Sequence, residues 1–206
     1  MAVADGGAVV VRNGPGRRIG VFGGTFDPPH IGHLVAAVDA LQVLSLDVVL
    51  LVVAGEPWQK VDSRAVSAAA DRLAMVRAAV ADTPGLQVSD LEVSREGPSY
   101  TADTFAEFHA AEPDSELFLI LGNDAAAGFG TWERHDEVAA MATLVVVDRP
   151  GSPAPPAAPF EWRHVDIPEL EISSTEIRQR VAAGRSIRYL VPSGVAAVVK
   201  ERGLYR

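Results

Sequence analysis

Cysteine is absent from the chain, so neither a disulfide framework nor thiol chemistry is available to it. No apolar run reaches the roughly 20 residues that a membrane-spanning helix needs. The first residues lack the charged-then-apolar order of a secretory signal. A soluble, cytoplasmic protein with no membrane association is the expectation. Neither Gly-Lys-Ser nor Gly-Lys-Thr occurs, which excludes a Walker-type phosphate loop, and Gly20, Gly23 and Gly24 do not make a Gly-x-Gly-x-x-Gly dinucleotide fingerprint. No internal repeat is present. The net charge of −9 argues against nucleic acid as the main partner.

What is present suits one domain: 206 residues, 48% of them hydrophobic, enough to bury a sizeable core. Charge is unevenly spread. Ser173 to Arg206 carries seven basic and two acidic residues, while the remainder carries eleven and twenty-five. A basic segment on an acidic protein could steer a small anion to one place; it could equally be a solvated helix face.

The chain is organised around Gly20-Val21-Phe22-Gly23-Gly24-Thr25-Phe26-Asp27-Pro28-Pro29-His30-Ile31-Gly32-His33. A short apolar run, Arg18 to Phe22, enters this stretch, and an apolar-periodic segment, Leu34 to Leu46, leaves it. The order reads as strand, glycine turn, helix. Gly23 and Gly24 let backbone pass close to a ligand, and the following helix offers unpaired amides and a positive dipole end to a phosphate. His30 and His33, three residues apart, can face the same side of the first turn. A zinc site would want a third protein ligand, and none is evident, so no metal is assigned to protein side chains. Asp27, between Phe26 and two prolines, is expected to fix the turn by bonding to backbone amides.

Residues 1–17 are small and glycine-rich and read as a flexible extension; residues 18–206 form the domain. Asp47 to Val53 is a near-continuous, β-branched run of the kind buried on both faces of a parallel sheet. With the first strand and helix it makes a βαβ crossover, and the fold class is α/β: a Rossmann-like open parallel sheet with helices on both faces. Ligands bind outside the carboxyl ends of such strands, which makes Lys60, in the loop after the second strand, a candidate phosphate contact. A helix follows over Ser67–Asp82 with Leu73, Val76 and Val80 inward, then one or two short strands within Leu86–Val93. Thr101 is placed to cap a helix running to Ala111.

Glu116 to Leu121 is a buried strand ending in Gly122-Asn123-Asp124, where a carboxylate can accept hydrogen bonds from ribose hydroxyls. Trp132 can stack on a planar ring or serve as a core residue. Thr143–Val147 and Arg163–Ile167 are further strands, with the proline-rich loop Pro150–Pro159 between them. Ile172-Ser173-Ser174-Thr175-Glu176-Ile177-Arg178 opens another helix, with Ser173 or Ser174 as its cap. Its hydroxyls, amides and guanidinium form a second anion site. Ser193–Glu201 is a final amphipathic helix.

These segments resemble one family. Gly-x-Phe-Asp-Pro-x-His-x-Gly-His, here through His33, is similar to the signature of the nucleotidyltransferase superfamily. Pro98-Ser99-Tyr100-Thr101-Ala102-Asp103-Thr104, Gly122-x-Asp124, Trp132, Ile172 to Arg178 and Tyr189-Leu190-Val191-Pro192 resemble the bacterial nicotinate-mononucleotide adenylyltransferases. The chain departs from that pattern at Trp58-Gln59-Lys60, where relatives often carry Pro-His-Lys. Pantetheine-phosphate adenylyltransferase is the nearest alternative, and it usually lacks a histidine at the His30 position. A non-catalytic nucleotide-binding sensor is a second alternative.

The resemblance implies ATP and nicotinate mononucleotide as partners, with deamido-NAD and pyrophosphate as products. It implies ATP contacts from Gly23, Gly24, Thr25, Phe26, His30, His33, Ser174, Thr175 and Arg178. Lys60, Tyr100, Thr101, Gly122, Asp124 and Trp132 would hold the second substrate, and His30, His33, Arg178, Thr25 and Lys60 would serve the reacting phosphates. Mg²⁺ would arrive on the ATP phosphates. A homo-oligomer is compatible with this reading, which fixes no oligomeric state.

Overall fold

The near-continuous apolar runs require burial on both faces, and the strands they form make a single six-stranded sheet in the order β3-β2-β1-β4-β5-β6, every described pairing parallel. This computed structural model describes residues 16–55, 66–95, 97–148 and 159–206. The strands are β1 (Arg18–Gly24), β2 (Val48–Val53), β3 (Leu86–Ser89), β4 (Glu116–Gly122), β5 (Ala142–Asp148) and β6 (Trp162–Asp166). The helices are α1 (Ile31–Val43), α2 (Ala69–Val80), α3 (Leu91–Ser94), α4 (Thr101–Ala111), α5 (Asn123–Ala127), α6 (His135–Met141), α7 (Ser174–Ala182) and α8 (Ser193–Glu201), with a 3-10 turn at Phe129–Thr131. None of the described helices is long and apolar enough to cross a membrane.

Strand alternation divides the core in two. Val49, Leu51, Val53, Phe118, Ile120, Val145, Val147 and Val165 face α1, α2, α7 and α8. Their neighbours Val48, Leu50, Val52, Leu117, Leu119, Leu121, Leu144 and Val146 face α4, α5 and α6. The central strands β2, β4 and β5 are therefore apolar on both sides, as a sheet covered on both faces demands, while the edge strands β3 and β6 are exposed in part. Strand order reverses between β1 and β4, and the crevice at their carboxyl ends is where such sheets bind ligands.

Three sequence expectations need adjusting. The α1 face predicted from Leu34, Val38 and Leu41 is only partly buried; Gly32, Ala36, Ala37 and Ala40 lie deepest. Small side chains let this helix sit close to the sheet, and the larger ones flank that contact. The Leu86–Val93 segment is one strand followed by a single helical turn, β3 and α3. The stretch between β4 and β5 folds into α5, the 3-10 turn and α6, none of which the sequence reading placed. Residues 1–15, the Trp58–Lys60 loop and residues 150–158 of the proline-rich run lie outside the described residues. Arg17 already belongs to the folded unit: its carbonyl accepts from the Glu116 amide at 2.8 Å, and its guanidinium reaches Glu112 at 3.2 Å.

Candidate active site

The glycine–histidine stretch leaves β1 and turns into α1, but its two glycines serve different ends. A Cβ on Gly24 would stand 2.9 Å from the Phe26 ring, whereas one on Gly23 would meet nothing within 4 Å. Gly24 makes room for Phe26; only Gly23 leaves open space over the strand end. Phe26 holds a left-handed backbone, φ 50°, and its ring is buried edge-on to Phe22 and to His33, with centroids 5.9 and 5.2 Å apart. The ring predicted to meet ATP instead supports the imidazole beside it.

His30 is the residue that precedes α1, with extended backbone, and is buried at 3% exposure. His33 stands on the first turn, half-buried. The two rings stack with centroids 3.7 Å apart. The His30 amide donates to His33 Nδ1 at 3.1 Å. An accepting Nδ1 puts the proton of the neutral ring on Nε2, which is left as a donor.

The loop between them is tied to remote parts of the chain. Asp27, 2% exposed, accepts from the Tyr205 hydroxyl at 2.7 Å and from the Ser67 amide at 3.4 Å. The amide reading of Asp27 holds for Ser67, 40 residues away in sequence. Arg178 donates to the Asp27 carbonyl at 2.8 Å and to Thr175 Oγ1 at 2.9 Å. Ser174 Oγ donates to the Pro28 carbonyl at 2.8 Å, and Ser173 is the α7 cap, accepting from the Glu176 amide at 3.1 Å. The predicted second anion site is thereby joined to the first.

Behind both lies Arg72, 1% exposed. Its guanidinium donates to the carbonyls of Ser67 (3.0 Å), Thr25 (3.0 Å), Ala54 (2.6 Å) and Gly55 (2.8 Å). It therefore staples the ends of β1 and β2 to the start of α2.

A cavity of about 240 Å³ opens beside Gly23, Gly24 and Thr25, with Tyr100, Thr101, Trp132 and Glu92 among its walls. Tyr100, not Thr101, occupies the cap position of α4; Thr101 is the first helical residue and makes no side-chain cap bond there. Tyr100, Thr101 and Thr104, at the start of that helix, line the cavity all the same. Trp132, half-buried, packs edge-on to Phe129 at 5.5 Å between centroids. Glu92 accepts from Thr104 Oγ1 at 2.8 Å, and burial raises its carboxyl above the ordinary 4.5 against the pull of Thr104 and Arg95.

The structure therefore brings Gly23, Gly24, Thr25, Tyr100, Thr101 and Trp132 to one cavity, and joins His30 and His33 to Ser174, Thr175 and Arg178 through the Asp27 loop. Gly122 ends β4 and Asp124 lies in the first turn of α5, which Asn123 begins; their neighbour Ala125 lines the cavity. Asn123 between them is buried and donates to Asp148 at 2.6 Å, fixing that turn to the end of β5. Lys60 lies outside the described residues. Among those described, no three His, Asp or Glu side chains converge as a metal site would require. Arg72, Glu92, Asn123 and Tyr205 were missed by the sequence reading. One signal for Arg72 existed: it lies four residues before Val76, on the face assigned to the core.

Residues 21–180 match the cytidylyltransferase-like family model. The chain is 49% identical over 189 residues to a probable nicotinate-nucleotide adenylyltransferase of Thermus thermophilus, covering 92% of this chain and 100% of the relative. It is 46% identical to a protein of the same name from Saccharopolyspora erythraea, covering 92% and 90%. Solved structures of the Plasmodium falciparum nicotinic acid mononucleotide adenylyltransferase, complexed with APC and with NaAD, superpose with TM-scores of 0.74. At 16% and 17% identity, over 92% of this chain and 97% of each of those chains, they establish the fold.

Proposed function

The chain belongs to the nicotinate-nucleotide adenylyltransferases, a cytidylyltransferase-like family, and from that premise we propose how its residues divide the work. The enzyme transfers the adenylyl group of ATP to nicotinate mononucleotide, releasing pyrophosphate and forming deamido-NAD. Relatives at 42–49% identity carry this name, which favours it over phosphopantetheine as acceptor and over a non-catalytic sensor. We assign the activity to residues 18–206, to which Arg17 is tied through Glu112 and Glu116. The cysteine-free chain and its ATP substrate suit the cytoplasm.

The observation that carries the assignment is the cavity at the β1 end, lined by Tyr100 and Thr101 at the start of α4 and by Trp132. Nicotinate would stack on Trp132, its carboxylate toward the first-turn amides of α4 near Tyr100 and Thr101. Gly122 and Asp124, beside Ala125, would meet a ribose. The open face of Gly23, with Thr25, would let the phosphate of the mononucleotide approach the α-phosphate of ATP.

The attacking group is a phosphate oxygen with a second pKa of about 6, so it is already ionised at neutral pH and needs no general base. The task left to the protein is to bring two anions together and to hold the charge that develops on pyrophosphate. His33 Nε2–H, with His30 stacked behind it, would donate to the ATP phosphates. The α7 amides at Ser174 and Thr175, with Arg178, would hold the leaving side, and Lys60 would add a charge.

The groups assigned to the triphosphate, from His30, His33, Ser174, Thr175 and Arg178, are nitrogen and hydroxyl donors, which suit phosphate; Mg²⁺ prefers carboxylate and water oxygens. The ion would therefore ride on the triphosphate, where it would neutralise charge.

Replacing Trp132 by alanine is expected to raise KM for nicotinate mononucleotide about tenfold, since stacking on an aromatic ring contributes about 1–3 kcal/mol. KM for ATP should stay within about twofold, and Trp132→Phe should recover most of the loss. Steady-state kinetics with each substrate varied in turn measures this split. An equal rise in both KM values, or none, would remove Trp132 from the acceptor site.

A further inference from the structure

Tyr205 stands far from the glycine–histidine stretch in sequence, 178 residues from Asp27, and the transfer chemistry assigns it nothing. After α8 the chain turns through Gly203 and Tyr205, both with left-handed backbone at φ 62° and 64°. The Leu204 amide donates to the Val199 carbonyl at 3.0 Å, and the phenol is delivered into the core beside Met75 and against Asp27. A non-glycine residue held at positive φ is strained. The conformation persists where surrounding contacts determine it, and here the bond to Asp27 is one such contact. Burial, and then the Asp27 carboxylate, raise the pKa of the phenol well above its ordinary 10.0, so it remains a donor at neutral pH.

Asp27 in turn carries more than its own turn. Its carbonyl seats Arg178, and the next carbonyl, of Pro28, seats Ser174. Its predecessor Phe26 is strained and packs on His33. We infer that Tyr205 is a positioning residue for adenylyl transfer: through Asp27 its hydroxyl fixes the loop that sets Arg178 and Ser174 relative to His33 around the ATP phosphates. This inference rests on the reading of His33 and Arg178 as phosphate contacts.

The test is Tyr205→Phe, which keeps the half-buried ring and removes only the donor. Kinetics run well below the thermal midpoint separate placement from folding. The expected result is a fall in kcat of about tenfold, with KM for nicotinate mononucleotide within about twofold of the parent. In an Arg178→Ala background the same substitution should cost less than about threefold, because the residue it positions is gone. Parent-like kcat overturns the inference, as does an undiminished loss in the Arg178→Ala background. A His33→Ala enzyme assayed alongside separates the two levels. Full turnover there removes the phosphate reading on which the inference stands; impaired turnover there, with parent-like Tyr205→Phe, removes the inference alone.

Discussion

Replacing His33 by alanine is expected to lower kcat by about a hundredfold or more, the usual cost of removing one donor aimed at developing charge. The expectation comes from local geometry. Nδ1 is occupied by the His30 amide at 3.1 Å, so the ring cannot rotate freely and presents Nε2–H. The His30 ring lies against one of its faces and Phe26 meets it edge-on. Such a donor pays no reorganisation when pyrophosphate leaves. The fold should survive, because His33 is half-buried and the cap-like bond it accepts from the His30 amide is worth about 1 kcal/mol. For a chain of this length that amounts to a shift of roughly 2–4 °C in the thermal midpoint. Turnover within about threefold of the parent at saturating substrates would contradict the role. A collapse of the midpoint would mean that the loss reported folding, not chemistry.

The second large effect concerns stability. Arg72→Ala should cost about 3–5 kcal/mol and lower the thermal midpoint by roughly 6–20 °C. Four backbone carbonyls, those of Thr25, Ala54, Gly55 and Ser67, lose a charged donor at 2.6–3.0 Å. Hydrogen bonds to a charged group contribute about 1.5–3 kcal/mol each, and water entering the vacated space would recover part of the sum. Arg72→Lys should recover little, because an ammonium cannot reproduce the fork that reaches four carbonyls on three segments. Denaturant and thermal unfolding measure both variants. A loss below about 1 kcal/mol for Arg72→Ala would show that the ends of β1 and β2 hold together without it.

The sheet was legible because its strands are buried on both faces, and β-branched runs such as Val48–Val53 have few other ways to be satisfied. α8 matched its predicted limits, and α4 its predicted end at Ala111, because apolar spacing and flanking turns agree there. The segment 123–141 was not legible: Asn123 to Thr131 is made of small residues without a helical period, and α5 and the 3-10 turn form because Ala126 and Phe129 find a place on the sheet. Local reading also put Thr101 in the cap position that Tyr100 holds, a shift of one residue with the same free amides. At the site, the residues with phosphate-binding chemistry could be named from spacing. Those that hold them could not. Asp27 meets Tyr205 and Arg72 meets Thr25 across separations of 178 and 47 residues, and no local pattern encodes such contacts. The burial of Phe26 is of the same kind: its ring turns inward because Gly24 has no Cβ to stop it.

The most direct measurement is pyrophosphate release with ATP and Mg²⁺, comparing nicotinate mononucleotide, nicotinamide mononucleotide and phosphopantetheine at equal concentration. Strong preference for nicotinate mononucleotide is expected, because the N-terminus of α4, at Tyr100 and Thr101, lies at the cavity and its positive dipole end favours a carboxylate over a neutral amide. Equal use of both pyridine nucleotides would contradict carboxylate recognition at Thr101. Release with phosphopantetheine alone, or with none of the three, would contradict the assignment of the acceptor itself.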